Sequence, residues 1–394
     1  MKVLKKLTNK KNRILLQSLK TLVVVGFSFL IIWIYAEIAL NLSFLNPVSE
    51  AIENFSITDK YYQMMPERSN RSVVIVDLSS LYNRGDIAMV VEEIEACHPA
   101  VIGMDCVFKG EKDDTIADNA IREMAKTYNN IVFSYELMDE QTDGSGYSRS
   151  VHSFFVDEIP VHEGVTNMQR DNIYNGMKRN LRLGWVHNGE KQLSMVGEVL
   201  NLYAGNKVVT ADDDDVNINF APTNFTIIDP AEIMQCRDLI EGRIVLFGAM
   251  TDEMDMHYTP LGKIAGVELL AYATQTLLEN RQIIKPGWFL HGVISLILVI
   301  LTNILQIVYL GWTSKSKSPM VYHVMGSTYV LGIVTFLWIA LIMWFTFLCF
   351  CLYNVNIEVG WSIAAMAFLS TSRSFYAACE DYYRLWKERK QKKA

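Results

Sequence analysis

Apolar residues along this chain fall into three kinds of run, and each predicts a different element. The first kind is long and nearly unbroken. Residues 21–42, TLVVVGFSFLIIWIYAEIALNL, carry one charge, Glu37, and match the roughly 20 residues of a bilayer crossing. Further runs follow Pro286, at 288–310, at 329–353 and, shorter, at 359–371. The second kind has strand length. VVIVDL (73–78), AVIGMDCVF (100–108), IVFSYEL (131–137) and RIVLFGAM (243–250) read as strands buried on both faces. The third kind is periodic. Ile87, Val90, Val91, Ile94 and Cys97 recur at helical spacing behind Asp86 as the expected cap, as do Ile116, Ala120, Ile121 and Met124 behind Asp113 or Asp114. Two more helices are predicted at 193–203 and 266–278.

Alternating strands and helices with short connections predict an α/β fold, a mostly parallel sheet flanked by helices, joined to an α-helical transmembrane block. The Gly-, Asn- and Ser-containing stretch 139–189 predicts hairpins or an excursion from that pattern.

Charge orients the layout. Residues 1–20 hold seven Lys or Arg and no acid, and residues 373–394 hold seven against Glu380, Asp381 and Glu388. By the positive-inside rule both ends face the cytoplasm. The expected organisation is a basic cytoplasmic leader (1–20), a transmembrane helix (21–42), an extracytoplasmic domain (43–286), three transmembrane helices (288–372) and a basic cytoplasmic tail (373–394). A cleaved signal peptide is the competing reading of the first run, but its apolar stretch exceeds the usual length and no small-x-small site follows. Residues 43–286 carry 38 acids and 20 bases, a net −18, while the remainder carries 5 acids and 16 bases, a net +11. So acidic a domain would repel nucleic-acid phosphates, and the basic ends suit anionic lipid headgroups, so the expected partner is the lipid bilayer and not nucleic acid.

Candidate chemistry lies at strand ends, where ligands bind in open parallel sheets. Asp77, Asp105, Asp252 and Asp255 fall there. One reading is that each caps a helix or ties a loop. The other is that Asp77, Asp105 and Asp255 converge to bind a small ligand, either a hard cation or an amine, with His257 as a further member. Asp212 to Asp215 lack the spacing of a calcium loop and read as a solvated turn. The seven histidines include no helical i, i+4 pair, so zinc lacks its ligands. Phosphate-loop, nucleophile-elbow and metalloprotease motifs are missing, and Asp-Gly-Ser-Gly at 143–146 reads as a flexible turn. No catalytic residue, enzymatic activity or cofactor is therefore predicted. Cys97, Cys106 and Cys236 in the domain are either buried free thiols or leave at least one thiol over from a disulfide.

Few charges interrupt the membrane runs, so no ion path is indicated. Gly360, Ala364 and Ala367 permit close helix packing, and Trp288, Trp312, Tyr329 and Tyr353 read as interfacial aromatics. In the tail, Phe375, Cys379, Tyr382 and Trp386 are spaced four, three and four apart and form one seam on a helix. The seam either floats at the headgroup level or docks a cytoplasmic signalling protein or a second copy of the chain.

The domain resembles the CHASE, type two, extracellular sensory domain of bacterial signalling proteins across nearly all of residues 50–285. Asp77 followed by Ser80-Leu81, then Gly103, Asp105 and Phe108, match its opening strands. Asn175-Gly176 with Arg179 is similar to a family turn, and residues 216–222 to a later strand. The most specific match is Ile244-Val245-Leu246, Gly248, Asp255, Thr259-Pro260 and Gly266-Val267-Glu268. The chain departs at Asn83-Arg84-Gly85-Asp86, where the family is Trp-Pro-rich, and at Leu270-Ala271, where it has His-Ala. The resemblance implies a bacterial inner-membrane, multi-pass sensor that binds a small ligand or envelope protein, here expected without a fused output domain and so relaying to a separate cytoplasmic protein. An envelope scaffold or an envelope enzyme of another type are the alternatives.

Overall fold

The structure, a computed structural model, describes residues 17–34, 37, 57–141, 146–168 and 176–391. Most of the basic leader, the outer end of the first apolar run, residues 143–145, Asn175 of the turn and residues 392–394 lie outside the described residues. The chain divides into two compact units, Asp59–Ile284 and a helical unit drawn from both ends of the chain.

The helical unit begins with α1 (Gln17–Ile34). In the other unit, β1 (Arg68–Asp77) leads into α2 (Arg84–Ala96), then β2 (Val101–Met104), α3 (Thr115–Thr127) and β3 (Ile131–Glu140). There follow β4 (Tyr147–Val151), β5 (His162–Val165), β6 (Asn180–Leu181), β7 (Gly184–His187), β8 (Glu190–Leu193) and α4 (Met195–Ala204). Strands β9 (Val216–Asn217), β10 (Thr223–Ile228), β11 (Ile244–Gly248), β12 (Met256–Thr259) and β13 (Gly262–Ala265) precede α5 (Gly266–Leu278).

The principal sheet has the order β10-β1-β11-β2-β3-β4-β7-β8, with β5 also paired to β3. From β10 to β3, and between β3 and β5, every pairing is parallel. The length of β3 lets it serve two partners, since Val132 to Tyr135 pair in parallel with β5 and the following residues pair antiparallel with β4. The expected excursion in the middle of the domain is therefore a mixed extension of the sheet, antiparallel from β3 to β4, parallel from β4 to β7 and closed by the antiparallel β7-β8 hairpin.

Helices cover both faces. On one, α2 and α3 bury Val91, Ile94, Ile121 and Met124 against Phe133, Phe155 and Phe247, each such side chain contributing about 1.5–3 kcal/mol of transfer free energy. On the other, α4 packs on β2, β3 and β5, and α5 on β1 and β11. A bidentate pair, Arg179 on Asp59, ties the middle of the unit to its first residues.

Several local expectations are corrected. The cap of α2 is Asn83, whose side chain accepts from the Asp86 N–H, because the helix starts two residues before Asp86. Asp114 does cap α3, but Ile116 is 83 % exposed and the buried face is Ala117, Ile121, Met124 and Ala125. The run 100–108 is a strand only to Met104, and the later strand at 216–222 shortens to β9, the edge being filled instead by β10. Among the described residues all six cysteines are free.

In the helical unit, α1, α6 (Trp288–Thr313) and α7 (Thr328–Tyr353) are long and apolar enough to cross a membrane. The expected last span, 359–371, forms the head of one 32-residue helix, α8 (Gly360–Gln391). No stretch of 18 residues in that helix is apolar enough for it to be counted with the other three. Polar contacts set the packing. His291 with Glu358, Ser295 with Ser362 and Gln306 with Arg373 are each separated by 67 residues, so α6 and α8 run parallel in one register. Lys20 with Glu380 and Ser28 with Ser372 set α1 antiparallel to α8.

Candidate functional site

The carboxyl ends of β1, β11 and β2 lie side by side, so Asp77 pairs with Gly248 in register and the Asp105 N–H donates to the Phe247 carbonyl (2.8 Å). Beyond that edge the chain forms the loop after β11, the β12-β13 hairpin and the first turn of α5. Asp255 closes the loop, and His257 follows on the hairpin opposite Ile264.

Two of the three predicted carboxylates come together. The Thr166 hydroxyl, just past the end of β5, donates to Asp105 Oδ1 at 2.8 Å. Asp255 is near enough for its negative charge to act on Asp105. Burial first, and that charge second, outweigh the Thr166 hydrogen bond and the His257 ring and push the Asp105 carboxyl from 3.8 to about 6. His257 Nε2 lies 3.3 Å from Asp255 Oδ1, yet it is buried and makes no hydrogen bond.

Glycines explain how the carboxylates fit. A Cβ on Gly266 would stand 2.2 Å from Asp255 Oδ2, so the carboxylate rests against bare backbone in the first turn of α5, where the helix dipole favours an anion. A Cβ on Gly248 would meet Val267 at 2.8 Å and Asp105 Cβ at 3.1 Å. A side chain at Gly266 would displace Asp255, and one at Gly248 would displace Val267 and crowd Asp105.

Asp77 has a different setting. Its Oδ1 accepts from the Ser79 N–H (2.9 Å), the Ser79 hydroxyl (2.6 Å) and the Met250 N–H (3.1 Å), tying the loops after β1 and β11 to each other. Asp252 caps the short turn before β12 by accepting from the Met254 N–H. Lys191 pairs with Asp212, in the expected acidic turn. Among the described residues no group of three His, Cys, Asp or Glu side chains is placed to hold a metal ion.

Two constellations were not legible beforehand. His152 stacks on Tyr135 (4.4 Å between centroids), while its Nδ1 reaches Glu163 at 2.9 Å and its Nε2 reaches Ser150. The hydrogen bond to Glu163 holds the His152 pKa above its ordinary value despite burial. Arg84 forms an ion pair with buried Asp118, donates to the carbonyls of Lys109 and Gly110, and lies with Arg122 over the ring of Phe154. Both depend on cross-strand or loop closure, which no local spacing announces. In the tail seam, Phe375 meets Phe27 edge-on at 5.1 Å, and Lys390 lies over Trp386. Cys379 and Tyr382 are exposed.

These features define a membrane protein whose α/β domain gathers carboxylates at the carboxyl edge of a parallel sheet. The chain belongs to the CHASE2 domain family, whose model matches residues 30–312, well over half of it. CHASE2 domains are extracellular sensory domains, and the family is not a catalytic one. No curated protein and no solved structure matches the chain significantly.

Proposed function

We propose that this protein is a multi-pass receptor of the bacterial inner membrane. Its extracytoplasmic domain binds a small ligand or envelope partner through a cationic group, and it passes the change to a separate cytoplasmic protein without itself catalysing a reaction. The reading rests on one observation, Asp255 held against the bare backbone of Gly266 beside Asp105, whose carboxyl burial and the Asp255 charge push to about 6. A cation seated between the two carboxylates favours the ionised pair and so competes with the proton. Affinity for an amine or a hard cation is then expected to fall as pH drops below about 6. Asp77 contributes by fixing the loops that flank the pair.

The relay follows the chain. Asp255 rests on the head of α5, and residues 279–287 lead from its end into α6, which shares a register with α8 and the Phe375, Cys379, Tyr382 and Trp386 seam. That seam is the proposed contact for the cytoplasmic protein or for a second copy of the chain.

Two measurements test this. Asp105→Asn and Asp255→Asn are expected to abolish thermal stabilisation of the protein by a panel of small amines and divalent cations. Stabilisation that survives both changes would remove the pair from the site. Compartment reporters fused after Asp139, Lys317, Asn354 and Ala394 are expected to read outside, inside, outside and inside. An outside reading at Ala394 would overturn the four-span topology.

A further inference from the structure

We propose a second site, in the helical unit, that holds the phosphodiester of one anionic phospholipid. Faces of α1, α6 and α8 enclose an open groove of about 680 Å³, within the roughly 300–1,000 Å³ of small-molecule sites. Its chemistry is unusual for helices of this apolarity. Asn303 is 1 % exposed, lines the groove, and leaves both its amide nitrogen and its amide oxygen without a hydrogen-bond partner. Arg373 donates through Nη2 to Gln306 Oε1, while its buried Nη1 has no partner. Two donors and an acceptor are therefore buried unpaired in the wall of one groove, and each costs free energy until a small shift of its side chain lets a ligand meet it.

The charge and position of the groove indicate what that ligand is. Lys20 and Arg373 against Glu380 leave one positive charge on the lining, which suits a single phosphodiester. Lys20 and Glu380 already pair with each other at 3.0 Å, so the guanidinium of Arg373 is the cation left to bind. Arg373 lies 13 residues beyond Gly360, or about 20 Å along the helix, toward the end of a hydrocarbon layer about 30 Å thick. Glu380, which also lines the groove seven residues further on, reaches the headgroup level at about 30 Å, so the groove runs from Arg373 to that boundary, and basic pockets between membrane helices are where anionic headgroups seat. Ile304 and Ile307 on α6 give an acyl chain an apolar wall. The Asn303 oxygen, an acceptor, calls for a hydroxyl or ammonium on the headgroup, and the net positive lining favours the hydroxyl of a glycerol headgroup. Phosphatidylglycerol meets every one of these demands.

The full-length protein, extracted in neutral detergent and reconstituted in phosphatidylcholine bilayers with or without phosphatidylglycerol, tests the site by native mass spectrometry and thermal unfolding. Wild type is expected to retain one phosphatidylglycerol per chain and to unfold at higher temperature in its presence. Arg373→Gln and Asn303→Leu are each expected to weaken retention at least about tenfold. Ile304→Trp narrows the acyl wall without touching the polar groups, so it is expected to lose the lipid while unfolding in pure phosphatidylcholine as wild type does. Lys315→Gln, outside the groove, is expected to change nothing. Equal retention of phosphatidylcholine or phosphatidylethanolamine would overturn the proposal. So would stabilisation by inorganic phosphate alone, or wild-type retention by Arg373→Gln.

Discussion

Replacing Asp105 by Asn should make the domain more stable at neutral pH, the reverse of what loss of a hydrogen-bonded side chain ordinarily does. The folded-state pKa of Asp105 stands above its value in an unfolded chain, 3.8 against about 6. A carboxyl raised in this way contributes fully to stability below about pH 4, and that contribution is lost as pH rises through 6. At about 1.4 kcal/mol per pH unit the full cost of ionisation is about 3 kcal/mol, and the partial exposure of Asp105 reduces it to about 1–3 kcal/mol. Asn has the same shape, does not titrate, and can still accept from the Thr166 hydroxyl. The difference between Asn and Asp should therefore be near zero at about pH 4, open through pH 6 and level off above pH 7.

Urea unfolding of residues 59–284, the compact unit, provides the assay. Trp185 is its one tryptophan and is 2 % exposed, so its emission reports loss of the core. A difference of 1–3 kcal/mol corresponds to several degrees in melting temperature for a unit of this size, at about 2–4 °C per kcal/mol. A pH-independent difference between the two proteins, or a less stable Asn variant at pH 8, would refute the reasoning, because either would mean that Asp105 is not held in its costly form. A carboxylate that lowers stability where its neutral isostere would not is the kind of group a binding site retains.

Three further outcomes are expected. Gly266→Ala should push Asp255 off the head of α5 and bring the Asp105 pKa down toward the ordinary carboxylate range, seen as a smaller pH dependence of unfolding in the same fragment. Asp118→Ala should destabilise by about 3–5 kcal/mol by leaving the Arg84 guanidinium buried without its anion, whereas Arg84→Met with Asp118→Leu should recover much of that loss. Glu163→Gln should lower stability more at about pH 6 than at pH 8, because the raised His152 pKa gives a contribution that is present at low pH and disappears as pH rises through it.

The parallel core of the fold was legible because β1, β2, β3 and β11 are buried on both faces, and such strands leave unbroken apolar runs in the sequence. Edge strand β10 left none, since Asn224 and Ile227 face solvent while Phe225 and Ile228 face the core. The cap of α2 went to Asn83 because an Asx side chain three residues upstream competes equally well with Asp86, and spacing alone does not rank them. The strand-end aspartates were visible as residues, but whether they converge depends on strand order. Placing β11 between β1 and β2 sets Asp77 and Asp105 on either side of Gly248, and only then does the loop after β11 deliver Asp255 to Asp105.

The same limit applies in the membrane helices, and it explains why Asn303, Gln306 and Arg373 did not stand out. Asn303 and Gln306 lie on α6 and Arg373 on α8, and so few polar interruptions in an apolar run are too weak to count against a span. Their meaning comes from the constant 67-residue offset between α6 and α8, which puts Arg373 beside Gln306 and opens Asn303 to the same cavity. That register also constrains any relay. Three polar contacts of one offset hold α6 and α8 together from His291 to Arg373, so a pull on the head of α6 moves α8 as a unit more readily than it slides one helix past the other. A signal leaving α5 would then reach the seam as a tilt or rotation of the α6–α8 pair against α1. The Ser28–Ser372 and Lys20–Glu380 contacts are what must give way, and the proposed lipid, bridging α1 to that pair, would oppose the movement. Coupling of this kind requires that the two arrangements differ in their affinity for the lipid as well as for the external ligand. If the relay works as proposed, ligand affinity measured in phosphatidylglycerol bilayers should therefore differ from that in phosphatidylcholine, and Arg373→Gln should erase the difference.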